Sequence, residues 1–186
     1  MASVELTRAT LADLARYPDK AELIGGRIVP LMPTGRRPNR IAGRIFRSLD
    51  DHATLTRRGE AYTDNMGFAV EEQPSGRESF APDASYTEGP FPADPMEFIR
   101  GSPRFAAEVR SENDYGPAAE AEMAAKRGEY FLAGTLVVWD VDPKAELVHV
   151  YRASDPSNPT TYRRADLAEA EPAVPGWKVK VDYLFS

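Results

Sequence analysis

The sequence predicts an α/β domain of the α+β kind: one mixed β-sheet flanked by helices, with an N-terminal hairpin. Three observations lead there. Short runs rich in Val, Ile and aromatic residues recur along the chain. Two longer amphipathic segments separate groups of them. One dense apolar run, Leu136 to Val141, reads as a strand covered on both faces. The chain has 186 residues, 42% of them hydrophobic and 28% charged, which fits one folded domain over residues 1–186 with its own core.

Thr10 to Tyr17 reads as a short helix, with Thr10 as N-cap and Asp13 in the first turn. Ala21 to Leu31 reads as a hairpin around Gly25-Gly26. Pro33 to Pro38 is a loop. Asn39 to Leu55 predicts a helix whose apolar face carries Ile41, Ile45 and Leu49, with Arg40, Arg44 and Arg47 on the other side. Ala61 to Thr63 and Gly67 to Glu71 read as strands around Asp64-Asn65, and Ala84 to Thr87 as a strand opened by Pro82-Asp83. Glu88 to Pro103 is rich in Pro and Gly and reads as an irregular loop.

Phe105 to Val109 predicts a buried strand. Pro117 to Leu132 predicts a helix, with Pro117 in its first turn and Gly134 at its C-cap. Asp142-Pro143 turns into a strand from Glu146 to Tyr151. Ser154 to Pro175 reads as a proline-rich stretch with one strand near Tyr162. Trp177 to Val181 alternates like an edge strand, and Tyr183-Leu184-Phe185 closes the chain.

Composition narrows the function. The absence of cysteine excludes disulfides, thiolate zinc sites and cysteine nucleophiles, and fits a reducing cytoplasm. His52 and His149 are the only histidines, too few for a histidine-built metal site. No signal peptide or membrane-length apolar run is visible, so a cytoplasmic protein with no membrane partner is expected. A net charge of −6 argues against a protein that coats nucleic acid non-specifically.

Three fragments carry chemistry together: Pro82-Asp83, Glu108 within Phe105 to Val109, and Lys126 on the following helix. Two acids on neighbouring strands with a lysine nearby can hold a hard divalent cation, Mg2+ or Mn2+, beside a phosphodiester. Asp83 and Glu108 would be the metal ligands, with the Val109 carbonyl as a third donor. Each fragment has a plainer reading. Pro-Asp is common turn chemistry, as at Pro18-Asp19. A carboxylate in an apolar strand can simply pair with an arginine, here Arg104 or Arg110. Lys126 alone reads as a solvated helix residue. His149, alternating with Val148 and Val150, reads as a solvent-facing strand residue, and Asp140 and Asp142 as turn residues.

In order along the chain, Glu22-Leu23-Ile24-Gly25-Gly26-Arg27-Ile28, Met32-Pro33-Thr34-Gly35, Pro82-Asp83, Ala107-Glu108-Val109-Arg110-Ser111, Lys126 with Tyr130, and Val138-Trp139-Asp140-Val141-Asp142-Pro143 resemble the Uma-two family. That bacterial family is assigned to the PD-(D/E)xK restriction-endonuclease-like superfamily. The resemblance runs from about Glu22 to Tyr151, with a family-like tail at Pro175-Gly176-Trp177. It implies a restriction-endonuclease-like fold and a metal-dependent endonuclease acting on DNA. It also implies that Glu22 faces the same site as Asp83 and Glu108, there to meet a second metal or a water.

Two departures stand out. The family's frequent histidine after the Pro-Thr-Gly loop is replaced by Arg37-Pro38-Asn39. The superfamily's commonest lysine position, two residues after the second acid, holds Arg110. The resemblance implies that Lys126 supplies the lysine instead. The catalytic set is then Glu22, Asp83, Glu108 and Lys126.

Arg36, Arg37, Arg40, Arg44 and Arg47 form a basic cluster that can meet DNA phosphates or simply make a solvated face. The resemblance also points to a homodimer, since cutting both strands calls for two sites. The alternative function is a nuclease-fold binding or assembly module without catalysis, and a further one is cleavage of RNA or single strands.

Overall fold

The computed structural model describes residues 8–186. Helix α1 (Leu11–Leu14) opens on the expected cap: the Thr10 hydroxyl accepts from the Asp13 amide, and the Asp13 carboxylate accepts from the Thr10 amide. The hairpin follows as β1 (Ala21–Ile24) and β2 (Arg27–Pro30). Gly25 and Gly26 both take positive φ in its turn, which glycine alone adopts freely. Helix α2 (Arg36–Thr56) starts before the expected Asn39. Pro38 does not delay it, because first-turn amides need no intrahelical partner.

Next come β3 (Glu60–Thr63), β4 (Phe68–Ala69), β5 (Ser79–Phe80), β6 (Ala84–Thr87), β7 (Ile99–Arg100) and β8 (Phe105–Val109). Both β5 and β7 escape a sequence reading, since two residues show no period. Helix α3 (Pro117–Leu132) keeps its expected bounds. The chain ends in β9 (Val137–Asp142), β10 (Leu147–Arg152), β11 (Asp155–Tyr162), β12 (Leu167–Glu169), β13 (Lys178–Lys180) and α4 (Val181–Phe185).

The main sheet has the order β11-β10-β9-β8-β6-β3. Its neighbours are antiparallel except β8 and β9, which are parallel and joined through α3. Strand β11 forms where the sequence predicts a mostly irregular stretch. It pairs only with β10, so Pro156 and Pro159 need no ladder bond on the outer side.

Alternation along β8 assigns the two faces. Phe105, Ala107 and Val109 pack with Ile41, Ile45 and Leu49 of α2. Burying each of those three α2 side chains contributes about 1.5–3 kcal/mol. Ala106 points the other way, toward Tyr130 of α3 and toward Phe68, Phe80 and Ile99 of the small β5-β4-β7 sheet. Glu108 shares that second face. Trp177 is buried rather than displayed on an edge: it stacks on Trp139 at 4.9 Å and meets Phe105 at 5.5 Å. The aromatic tail therefore closes the α2 side of the core.

Candidate active site

Strands β6 and β8 create the juxtaposition. Their register pairs Ala84 with Ala107, so its next step sets Asp83 opposite Glu108, on the face toward α3. The Asp83 amide donates to the Ala107 carbonyl (3.1 Å), and Asp83 Oδ2 accepts from the Val109 amide (2.8 Å). The side chain thus continues the ladder where the backbone of β6 leaves it. Its other oxygen, Oδ1, faces the Lys20 ammonium at 3.1 Å.

Helix α3 brings Lys126 and Tyr130, one turn apart, against Glu108. Lys126 Nζ lies 2.9 Å from Glu108 Oε1, and the Tyr130 hydroxyl donates to the same oxygen at 2.6 Å. Tyr130 is itself fixed by stacking on Phe80 at 4.0 Å. The lysine stem runs along the cavity wall and its ammonium also reaches Glu22 Oε1 at 3.3 Å.

Glu22 arrives from β1, which lies beside the segment leading into β5. The Glu78 amide donates to the Leu23 carbonyl (2.7 Å) and the Leu23 amide to Ser79 Oγ (2.8 Å). Glu22 is almost wholly buried, accepts from the Ala81 amide at 3.1 Å and pairs with Arg77. Arg77 in turn pairs with the buried Glu129 at 2.9 Å, and Glu129 accepts from the Ser75 amide at 2.8 Å. Glu22, Asp83, Glu108 and Lys126 therefore occupy one neighbourhood.

The electrostatics follow from that crowding. Burial pushes the Glu108 carboxyl up; Lys126 opposes this, while the charges of Asp83 and Glu22 add to it. Burial also works against the Lys126 ammonium, but Glu108 and Glu22 outweigh it and hold its pKa above the ordinary value. Burial alone would raise Glu22 too. Lys126 and Arg77 reverse that and leave it below the usual range. Lys20 keeps its proton more tightly than usual: burial opposes the charge, and Asp83 and Asp64 more than compensate. Tyr130 is pushed well up by burial and by Glu108, so its phenol remains a donor.

Three site members were missed by sequence reasoning. Lys20 pairs with Asp83 and with Asp64, a residue read only as part of a turn. Arg77 sits in a segment with no distinctive pattern, and Glu129 reads as one more polar position of the expected helix α3; only the long-range packing of β1 reveals their roles. Other readings are corrected. Arg110, which lines the same cavity as Glu108, does not pair with that acid; it is buried and bonds both oxygens of Asp140 at 2.7 and 2.8 Å. Asp140 is accordingly a buried strand residue, shared with Arg127 at 3.1 Å, and not a turn residue. His149 is half-buried, its Nδ1 2.9 Å from the Thr161 hydroxyl.

In the basic cluster, Arg44 is half-buried and donates to the Leu184 carbonyl at 3.0 Å, while Arg37 pairs with Glu146. Arg36, Arg40 and Arg47 are exposed and form no ion pair among the described residues. The Arg37 pair sets the start of α2 beside the turn that follows β9. Because β8 and β9 run parallel with Glu108 level with Asp140, the acids and the first arginines share one edge of the sheet, on opposite faces.

A cavity of about 340 Å3 opens at the site, lined by Glu22, Arg77, Glu108, Met123, Lys126 and Tyr130 among others. Among the described residues no group of three His, Cys, Asp or Glu side chains stands ready to hold a metal. A magnesium-type site needs only one or two carboxylates with waters completing the shell, which Asp83 and Glu108 fit. Both already attract a cationic group, Lys20 and Lys126, so the position favours positive charge.

A mixed sheet with a helix-crossed parallel pair, and acids where β6 meets the end of β8, defines a protein of the restriction-endonuclease-like fold. The Uma2 family model, described as "Putative restriction endonuclease", matches residues 10–182, and the chain belongs to that family. A crystal structure described as a "putative nuclease belonging to DUF820" from Anabaena variabilis ATCC 29413 is similar, with a TM-score of 0.69. The two chains are 20% identical, over 95% of this chain and 97% of that one, and the likeness shows the fold. No curated protein matches. No helix among the described residues is long and apolar enough to cross a membrane.

Proposed function

We propose that the protein is a divalent-metal-dependent endonuclease that hydrolyses DNA phosphodiester bonds. The observation that carries this is the cross-strand pair Asp83 and Glu108 on one face, with the Lys126 ammonium 2.9 Å from Glu108. Asp83 and Glu108 would hold Mg2+ or Mn2+, with the Val109 carbonyl as a further oxygen donor. Bound there, the cation supplies an activated water and polarises the phosphoryl oxygen.

The remaining steps belong to side chains. Lys126 stays protonated, so it is an electrostatic group and not a general base. Its ammonium orients the attacking water and stabilises the negative charge that builds on the phosphoryl oxygens. Glu22, fixed by Arg77 and the Ala81 amide, is a second carboxylate that holds Lys126 in position beside Glu108. Tyr130 fixes one Glu108 oxygen, so the carboxylate does not rotate when Lys126 turns toward substrate. Arg36 and Arg40, at the same sheet edge, meet backbone phosphates and position the duplex without reading its sequence. Cutting both strands calls for two sites, so a homodimer is the working assembly; light scattering showing only monomer at micromolar concentration counts against it.

A second reading, a binding module without catalysis, draws on the same ion pairs: a carboxylate satisfied by lysine can be purely structural. Cleavage of supercoiled, linear and single-stranded DNA with Mn2+, wild type against Glu108→Ala, separates the two. Metal-dependent nicking or linearisation that disappears in the variant supports the enzyme. No cleavage of any form by folded wild type refutes it.

A further inference from the structure

We propose that Lys20 is a tethered cation that competes with the divalent metal for Asp83, so that it sets the metal concentration at which the site fills. The inference rests on the metal-dependent reading above and concerns a residue outside its catalytic set.

Asp83 has two oxygens, and Oδ2 is committed to the Val109 amide at 2.8 Å. Oδ1 is the oxygen left for a cation, and the Lys20 ammonium stands 3.1 Å from it. Lys20 immediately precedes β1, so its backbone is anchored while its four-carbon stem can swing. Asp64 gives the ammonium a second partner in the turn between β3 and β4.

The two partners differ in a useful way. The Asp83 side chain is 22% exposed and that of Asp64 is 44% exposed. A dication arriving at Oδ1 would lie within a few ångströms of the ammonium, where like charges repel strongly in a partly dehydrated setting. Lys20 must therefore leave Oδ1. Asp64 lets it do so without becoming an unpaired, half-buried charge. The acids stay neutralised without metal, and each metal that binds displaces one ammonium from Asp83.

The test is Mn2+ binding to the full chain without DNA, by titration calorimetry and by electron paramagnetic resonance of free Mn2+. Lys20→Met keeps the stem and removes the charge. It should tighten Mn2+ binding about five- to tenfold, the equivalent of freeing Asp83 from a partly exposed pair. Asp64→Asn removes the alternative partner. It should weaken binding about threefold when Lys20 is present and have little effect beside Lys20→Met. Lys20→Gln, held to the same threshold, replaces Lys20→Met if urea unfolding shows that the latter does not fold.

If wild type binds Mn2+ through Glu108, and removal of the Lys20 charge leaves affinity unchanged or weaker, the competition is wrong while the metal reading stands. If wild type does not bind Mn2+, or binds equally after Glu108→Ala, both fall.

Discussion

Arg110→Ala tests whether the position usually given to the superfamily's lysine has become structural. The Arg110 side chain is 8% exposed and its partner Asp140 4% exposed. Two hydrogen bonds of 2.7 and 2.8 Å join them, and a further bond of 3.1 Å reaches Glu120. Removing one partner of such a buried pair costs about 3–5 kcal/mol, because a buried charge is stranded. Arg127 still reaches Asp140 at 3.1 Å, which reduces the loss to about 2–4 kcal/mol. The Glu120 pairing adds little, since that carboxylate is 48% exposed. With a urea dependence of about 2–3 kcal/mol per molar, the unfolding midpoint should fall by about 1 M. Mn2+ affinity should stay within about twofold, because Arg110 touches no proposed ligand. A double-mutant cycle with Asp140→Asn should return a coupling of about 1.5 kcal/mol or more. A midpoint shift under about 0.3 M, or a large loss of metal affinity with stability intact, would refute the structural assignment.

Lys126→Arg preserves the charge between Glu108 and Glu22 but not the compact ammonium; it should keep the urea midpoint within about 0.5 M and lower cleavage by about 10²-fold or more, and wild-type cleavage removes Lys126 from the mechanism. Removing Arg36 and Arg40 together should weaken DNA binding uniformly across sequences and flatten the log–log salt dependence by about one for each phosphate no longer neutralised; an unchanged slope sinks the basic-edge assignment. The pH dependence of stability in metal-free protein follows from signs. Glu22 and Glu129 lie below the ordinary glutamate value of 4.5, so their contribution is complete above that pH and disappears as pH falls through their depressed values. Glu108, displaced upward, acts oppositely in the window above 4.5. The urea midpoint should therefore fall steeply on acidification below pH 4.5, and a midpoint that rises there contradicts the Glu22–Arg77–Glu129 network.

The long elements were legible because their signals are local. Ile41, Ile45 and Leu49 mark α2 by period, Thr10 and Asp13 mark α1 by cap chemistry, and Pro117 starts α3. Glu108 stood out as the one charge in an apolar strand. What escaped depends on pairings distant in sequence. Strands β5 and β7 exist only because β4 lies between them. Lys20 meets Asp83 across 63 positions, and Arg77 meets Glu22 across 55. Arg110 does lie on the α3 side, as its place two residues after Glu108 implies, and bonds Glu120 of α3. Its main partner, Asp140 on the next strand, was not legible, because strand pairing alone brings it alongside.

The stacked pair Trp139 and Trp177 has a spectroscopic consequence. They are the chain's two tryptophans, both sealed on the α2 side of the sheet and hydrogen-bonded through their indole nitrogens to the Glu169 carbonyl and Ser48 Oγ. Glu108 and Lys126 stand on the other side. Intrinsic fluorescence is therefore an optical reading of whether the tail is docked, recording unfolding in one step while remaining nearly silent when ions or DNA reach the acidic face. A tryptophan placed at Met123, on the cavity wall, would give the opposite channel. The two signals together would distinguish a variant that no longer holds its ligand from one that no longer folds.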